Sequence, residues 1–155
     1  MAGVDATERV GRELGRLFWP EAVVLLVGPL GSGKTTLVRA ILAPWGLAQW
    51  VTSPTYDLVH ETEVAGVRVY HADLFRLGDP DEVEGLDLPG PPLERAVVLA
   101  EWGTWLRAWY PERFEIQLAF DGPKARRLTV DAVGSEAATR LKAWASEVDG
   151  AGLGH

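Results

Sequence analysis

The stretch Gly28-Pro29-Leu30-Gly31-Ser32-Gly33-Lys34-Thr35 decides how this chain is read. It is glycine, four residues, then Gly-Lys-Thr. The apolar run Ala22 to Val27 precedes it and has the length and β-rich composition of a buried strand. A helix is expected from Lys34 to about Leu42, stopped by Pro44 and Gly46. Strand, glycine loop, lysine, hydroxyl and helix together form the context in which this pattern cradles phosphate. Glycines let the backbone wrap a phosphate closely with its N–H groups inward, and the helix N-terminus behind adds a dipole that favours anions. The spacing predicts that Lys34 reaches the β- and γ-phosphates of ATP and that the Thr35 hydroxyl binds Mg2+. Candidate nucleotide-binding residues are therefore Gly28, Leu30, Gly31, Ser32, Gly33, Lys34, Thr35 and the adjoining Thr36, although Thr36 reads first as a helix residue.

Hydrolysis needs a carboxylate at the end of a neighbouring strand to hold the metal's shell and orient water. Two segments end that way. Ala96 to Glu101 has the form of a Walker B strand with Glu for the commoner Asp, and Val67 to Asp73 is the second. Asp73 and Glu101 are thus candidates for both the catalytic and the metal roles. The shorter Asp73 suits a fixed place in the magnesium shell, and the longer Glu101 suits a water. The reverse stays open, because Glu101 holds the Walker B position. His71 shares a strand face with Asp73 and reads either as a hydrogen-bonding partner at the site or as a partly buried structural histidine. Arg76 reads as a surface ion pair or as a cis-acting arginine finger.

Elsewhere, Asp5 and Glu8 resemble a capping box opening a helix with Val10, Leu14 and Leu17 on one face, ended by Pro20. After the polar stretch Thr52 to Thr55, strands are expected at Tyr56 to Val64 and Val67 to Ala72, turning at Gly66. A short helix is expected near Asp81 to Gly85. Trp102, Trp105 and Trp109 fall at helical spacing and read as core packing. Alternating strands Arg113 to Phe120 and Arg126 to Val133 follow, then a helix from Ser135 with the stripe Ala137, Leu141, Trp144 and Val148. Residues 1–149 are read as one domain, and Gly150 to His155 as a tail without fixed structure.

The net charge of −7 opposes autonomous binding to a phosphate backbone, and among twelve arginines and three lysines only Arg126 and Arg127 are adjacent. No direct, sequence-specific nucleic-acid binding is expected. The absence of cysteine excludes disulfides and thiolate chemistry. Nothing in the apolar runs is long enough to cross a membrane, and the N-terminus lacks the pattern of a signal or transit peptide, so a cytoplasmic location is expected.

With the glycine loop, Ser-Pro-Thr-Tyr at Ser53 to Tyr56, His-Ala-Asp-Leu-Phe-Arg at His71 to Arg76, and Glu101-Trp102, the order and spacing resemble the TsaE (YjeE) family. The resemblance runs from about Val10 to Gly134. One departure is Phe75, where the family often has Tyr. The resemblance implies an α/β P-loop NTPase three-layer fold with a mixed, largely parallel central sheet. It also implies an ATPase required for threonylcarbamoyladenosine formation in tRNA, acting on the TsaD and TsaB proteins rather than making the modification itself. Carried over by position, Asp73 and Glu101 are the metal and water carboxylates, Thr55 lies in a loop sensing the γ-phosphate, and Trp102 lies near the nucleotide.

Two rival readings use the same loop. A small-molecule kinase usually supplies arginines in a lid, and none lies between Asp79 and Pro92. A nucleotide-dependent binding module would use ATP only to fix a surface. A GTPase is disfavoured because the chain has no asparagine with which to read guanine in the usual way.

Overall fold

The computed structural model of the chain describes residues 3–29, 31–51, 58–75, 80–123 and 125–150. Leu30, the stretch Thr52 to Thr55 with Tyr56, and Arg76 lie outside the described residues, as do residues 151–155.

Among the described residues three α-helices and six strands follow in the order α1 (Gly3–Phe18), β1 (Ala22–Val27), α2 (Lys34–Leu42), β2 (Val59–Val64), β3 (Val67–Asp73), β4 (Ala96–Glu101), β5 (Arg113–Phe120), β6 (Arg126–Val133) and α3 (Ser135–Gly150). They build one sheet in the order β2-β3-β4-β1-β5-β6. The central strands β3, β4, β1 and β5 run parallel, and β2 and β6 pair antiparallel at the edges. The sheet is therefore mixed and largely parallel. The residue types explain this division. β1 and β4 are continuous apolar runs fit for burial on both faces, whereas the edge strand β6 alternates half-buried and exposed residues.

On one face, Leu14, Leu17 and Phe18 of α1, Leu37 and Ile41 of α2, and Ala137 of α3 pack on Val24, Leu26, Val67, Val69, Val97, Leu99, Phe114 and Ile116. The other face carries no α-helix among the described residues. Leu86, Leu88, Leu93, Leu106 and Tyr110, from 3-10 and irregular segments, cover Val23, Leu25, Tyr70, Ala72, Val98 and Ala100 there. The third layer of this three-layer arrangement is thus built without regular helix.

Several sequence expectations shift. Helix α1 begins at Gly3, so Asp5 lies within it rather than capping it. Leu58 lies outside β2, which begins at Val59. Gly150 ends α3 rather than starting a tail. The Trp102-Trp105-Trp109 stripe does not form a core face. The segment makes only a 3-10 turn at Gly103–Leu106, which breaks the α-helical spacing, and Trp105 and Trp109 are 36% and 41% exposed.

Candidate functional site

Parallel pairing puts the carboxyl ends of β1, β3 and β4 on one edge of the sheet, where ligands gather in open α/β folds. The loop after β1 and the last residues of β3 and β4 therefore meet. Period two does the rest. Val67, Val69, His71 and Asp73 alternate along β3 on the face packed by α2, as do Val97, Leu99 and Glu101 along β4. Each strand is apolar low in this face and polar at its top, beside the start of α2.

Two of the loop's glycines show what its geometry demands. Gly33, which caps α2, has φ +98, a left-handed conformation that side chains resist. At Gly28 a Cβ would stand 2.6 Å from the Leu118 carbonyl oxygen of β5 and 2.8 Å from Ser32 Oγ, so only glycine fits. Ser32 is fully buried, and its Oγ has no hydrogen-bond partner among the described residues. A buried hydroxyl in that state costs free energy, about 1–3 kcal/mol, unless an acceptor arrives.

Lys34, the first residue of α2, is buried, and its Nζ donates to the carbonyls of Gly28 at 2.7 Å and Pro29 at 2.9 Å. Its ammonium also lies 4.0 Å from the centroid of the Trp102 ring. Burial pushes Lys34 below its usual pKa, and the charges of Glu101 and Asp73 partly oppose that. Trp102 takes a left-handed backbone at φ 57 and stacks, tilted, on Phe75 with centroids 5.0 Å apart. Strain of this kind is tolerated where surrounding contacts fix it.

The carboxylates behave differently from one another although Asp73 and Glu101 are register partners. Glu101 is buried; its Oε1 accepts from Thr35 Oγ1 at 2.7 Å and its Oε2 from His71 Nε2 at 2.6 Å. Asp73 is half-buried and accepts from the Phe75 backbone N–H at 3.2 Å. Of the two, it is Glu101 that touches the hydroxyl assigned to a cation by spacing. Thr36 is exposed on α2.

A hydroxyl and one or two carboxylates are the hard oxygen donors that Mg2+ takes, with phosphate and water completing its shell. Among the described residues no group of three or more His, Cys, Asp or Glu could hold a metal ion. The uncommitted Ser32 hydroxyl, the Cβ-free cradle at Gly28 and the Lys34 ammonium fit a polyphosphate. The contact of Phe75 with Trp102 was not legible from the sequence, where Phe75 carried no assigned role.

Among the described residues no helix is long and apolar enough to cross a membrane.

A family model described as threonylcarbamoyl adenosine biosynthesis protein TsaE matches residues 1–128. Relatives named tRNA threonylcarbamoyladenosine biosynthesis protein TsaE include one from Haemophilus influenzae, 42% identical over 90 residues, covering 58% of this chain and 57% of that protein. One from Bacillus subtilis is 31% identical over 134 residues, covering 84% and 82%. Another, from Streptomyces coelicolor, is 41% identical over 97 residues, covering 61% and 65%. The matched segments thus span less than two thirds of the Haemophilus and Streptomyces proteins. A crystal structure of YdiB from Bacillus subtilis shares the fold, with a TM-score of 0.70 at 23% identity over 95% of this chain and 92% of that one. By family model and by the Bacillus relative alike, the chain belongs to the TsaE family of threonylcarbamoyladenosine biosynthesis proteins.

Proposed function

We propose that this chain binds ATP with Mg2+ at the Gly28 to Thr35 loop and hydrolyses it in support of threonylcarbamoyladenosine modification of tRNA. The observation that carries this reading is the meeting of Lys34, Thr35, Glu101 and Asp73 at one edge of the sheet, beside a loop that only glycines can shape. Lys34 exchanges its bonds to the Gly28 and Pro29 carbonyls for phosphate oxygens while Trp102 stays against it. The Ser32 hydroxyl donates to the same anion, and the N-terminus of α2 faces it.

Thr35 and Glu101 are the residues that would hold Mg2+. When bound, the ion neutralises charge developing on the phosphate oxygens. Asp73 then remains to orient the attacking water and accept its proton. This reverses the order that side-chain reach alone suggests, because Thr35 is bonded to Glu101 and not to Asp73. The acidic charge of −7 favours action through protein partners over direct grip on tRNA. In this reading the partners are the TsaD and TsaB proteins, and hydrolysis resets that unit between turnovers.

The test is ATP hydrolysis measured for the chain alone, with small phosphoryl acceptors, and with TsaD, TsaB and tRNA. Stimulation by the partners is the expected result. Stoichiometric phosphate transfer to an acceptor would make the chain a kinase instead.

A further inference from the structure

His71 is a buried polar side chain between the half-buried His60, its register partner on β2, and the polar top of the face at Asp73 and Glu101. Below it on β3 are Val67 and Val69, and across from it on β4 is its register partner Leu99. A buried imidazole costs free energy unless its ring nitrogens are hydrogen-bonded. His71 reaches diagonally to Glu101, one pleat higher, with Nε2 and Oε2 2.6 Å apart and both side chains almost fully buried. A carboxylate only accepts, so the proton of this contact is on Nε2. The other oxygen, Oε1, faces Thr35 Oγ1 at 2.7 Å.

We propose that His71 is a positioning residue for the cation site: it fixes the plane of the Glu101 carboxylate through Oε2 and thereby commits Oε1 to the side shared with Thr35. This rests on the reading of Glu101 and Thr35 as the Mg2+ residues. Glutamate has three rotatable side-chain bonds, and a carboxylate held at one oxygen loses less freedom when the other engages a cation. Hydrogen-bond partners behind metal ligands contribute about ten- to a hundredfold to metal affinity or activity. The same bond in a purely structural role would stabilise the sheet without touching the metal dependence of ligand binding.

Two variants of similar shape separate these roles. His71→Gln keeps an N–H donor, and His71→Met removes it. The probe is a non-hydrolysable ATP analogue, titrated by calorimetry with excess Mg2+ and again with EDTA. In His71→Met the affinity gain from Mg2+ should shrink by about tenfold, the EDTA affinity should hold within about twofold, and His71→Gln should recover most of the gain. An unchanged Mg2+ gain in His71→Met overturns the positioning role while leaving the nucleotide site standing. No Mg2+ gain in the unsubstituted protein means the underlying reading has failed, and the positioning role falls with it. A second measurement needs no folded variant: in 15N-labelled protein the His71 Nε2–H should give a protected NMR resonance that persists when Mg2+ and ADP are added. Its disappearance on that addition would overturn the proposal as well.

Discussion

Two glutamates are buried in neighbouring parts of this sheet, and they are held in opposite ways. Glu115 on β5 is clamped by two guanidinium groups. Arg107 donates to both of its oxygens, at 2.7 Å to Oε1 in the shortest bond, and Arg113 Nε donates to Oε2 at 2.7 Å. Glu101 on β4 has one hydroxyl and one imidazole. Burial alone would raise the Glu115 pKa, but the hydrogen bonds and charges of Arg107 and Arg113 outweigh it and hold the carboxyl below its usual range. The Glu115 charge is neutralised in place. Glu101 instead shares its edge of the sheet with a lysine whose own ammonium is destabilised by burial and whose partners are loop carbonyls. Glu115 is saturated by two fixed charges, whereas Lys34 beside Glu101 is held by neutral loop carbonyls that can be exchanged.

The largest effect expected from this contrast is at Lys34. Lys34→Ala should abolish productive ATP binding, a loss beyond about a thousandfold in affinity, or about 4 kcal/mol. The fold should survive, since alanine is a good helix former and the change removes a desolvated charge. Binding titration together with thermal unfolding checks both halves. A variant that binds normally, or one that unfolds, breaks the comparison.

Next in size is Glu115→Ala, which leaves Arg113 partly buried without its partner. It should cost about 3 kcal/mol of folding stability, the lower end for breaking a buried pair because Arg107 reaches solvent. ATP affinity should stay within about twofold. Urea unfolding and nucleotide titration on the same variant test this, and an affinity loss without a stability loss would place Glu115 on the wrong side of the contrast.

A smaller effect concerns acid. Because the folded-state pKa of Glu115 is lowered, its contribution to stability is present above the unfolded carboxyl value of about 4.5 and is lost as pH falls through the folded value. Stability measured from neutral to about pH 3 should fall less steeply in Glu115→Gln than in the unsubstituted protein. Parallel profiles would show that the two arginines do not act on this carboxylate.

The smallest effect belongs to the exposed indoles. Trp105→Ser and Trp109→Ser should each change stability by less than about 0.5 kcal/mol. Thermal unfolding would show a larger loss if these rings were core.

The sequence exposes what local periodicity encodes. β5 and β6 alternate, β1 and β4 are continuous apolar runs, and α2 lies between a glycine loop and Pro44, so all five have the bounds expected. Both candidate carboxylates stand at strand ends for the same reason. What a one-dimensional reading lacks is pairing. Nothing along the chain says that β4 lies between β3 and β1, and that order alone brings Glu101 beside both Thr35 and His71. The indole spacing misleads because a 3-10 turn and a following bend satisfy the same intervals without making a helix face. Arg113 and Glu115, two apart on one strand face, carried a local signal for their ion pair, whereas Arg107 joins them only through the fold.

The central claim is that a phosphate-bound Mg2+ is held by Thr35 and Glu101, with Asp73 acting on water. The most direct measurement is binding of a non-hydrolysable ATP analogue, titrated against Mg2+, in Glu101→Gln and Asp73→Asn. Glu101→Gln should lose most of the affinity gained from Mg2+, by about tenfold or more, while Asp73→Asn should keep that gain and lose hydrolysis. If Asp73→Asn loses the Mg2+ gain and Glu101→Gln keeps it, the contact between Thr35 and Glu101 does not mark the cation site and the account is contradicted.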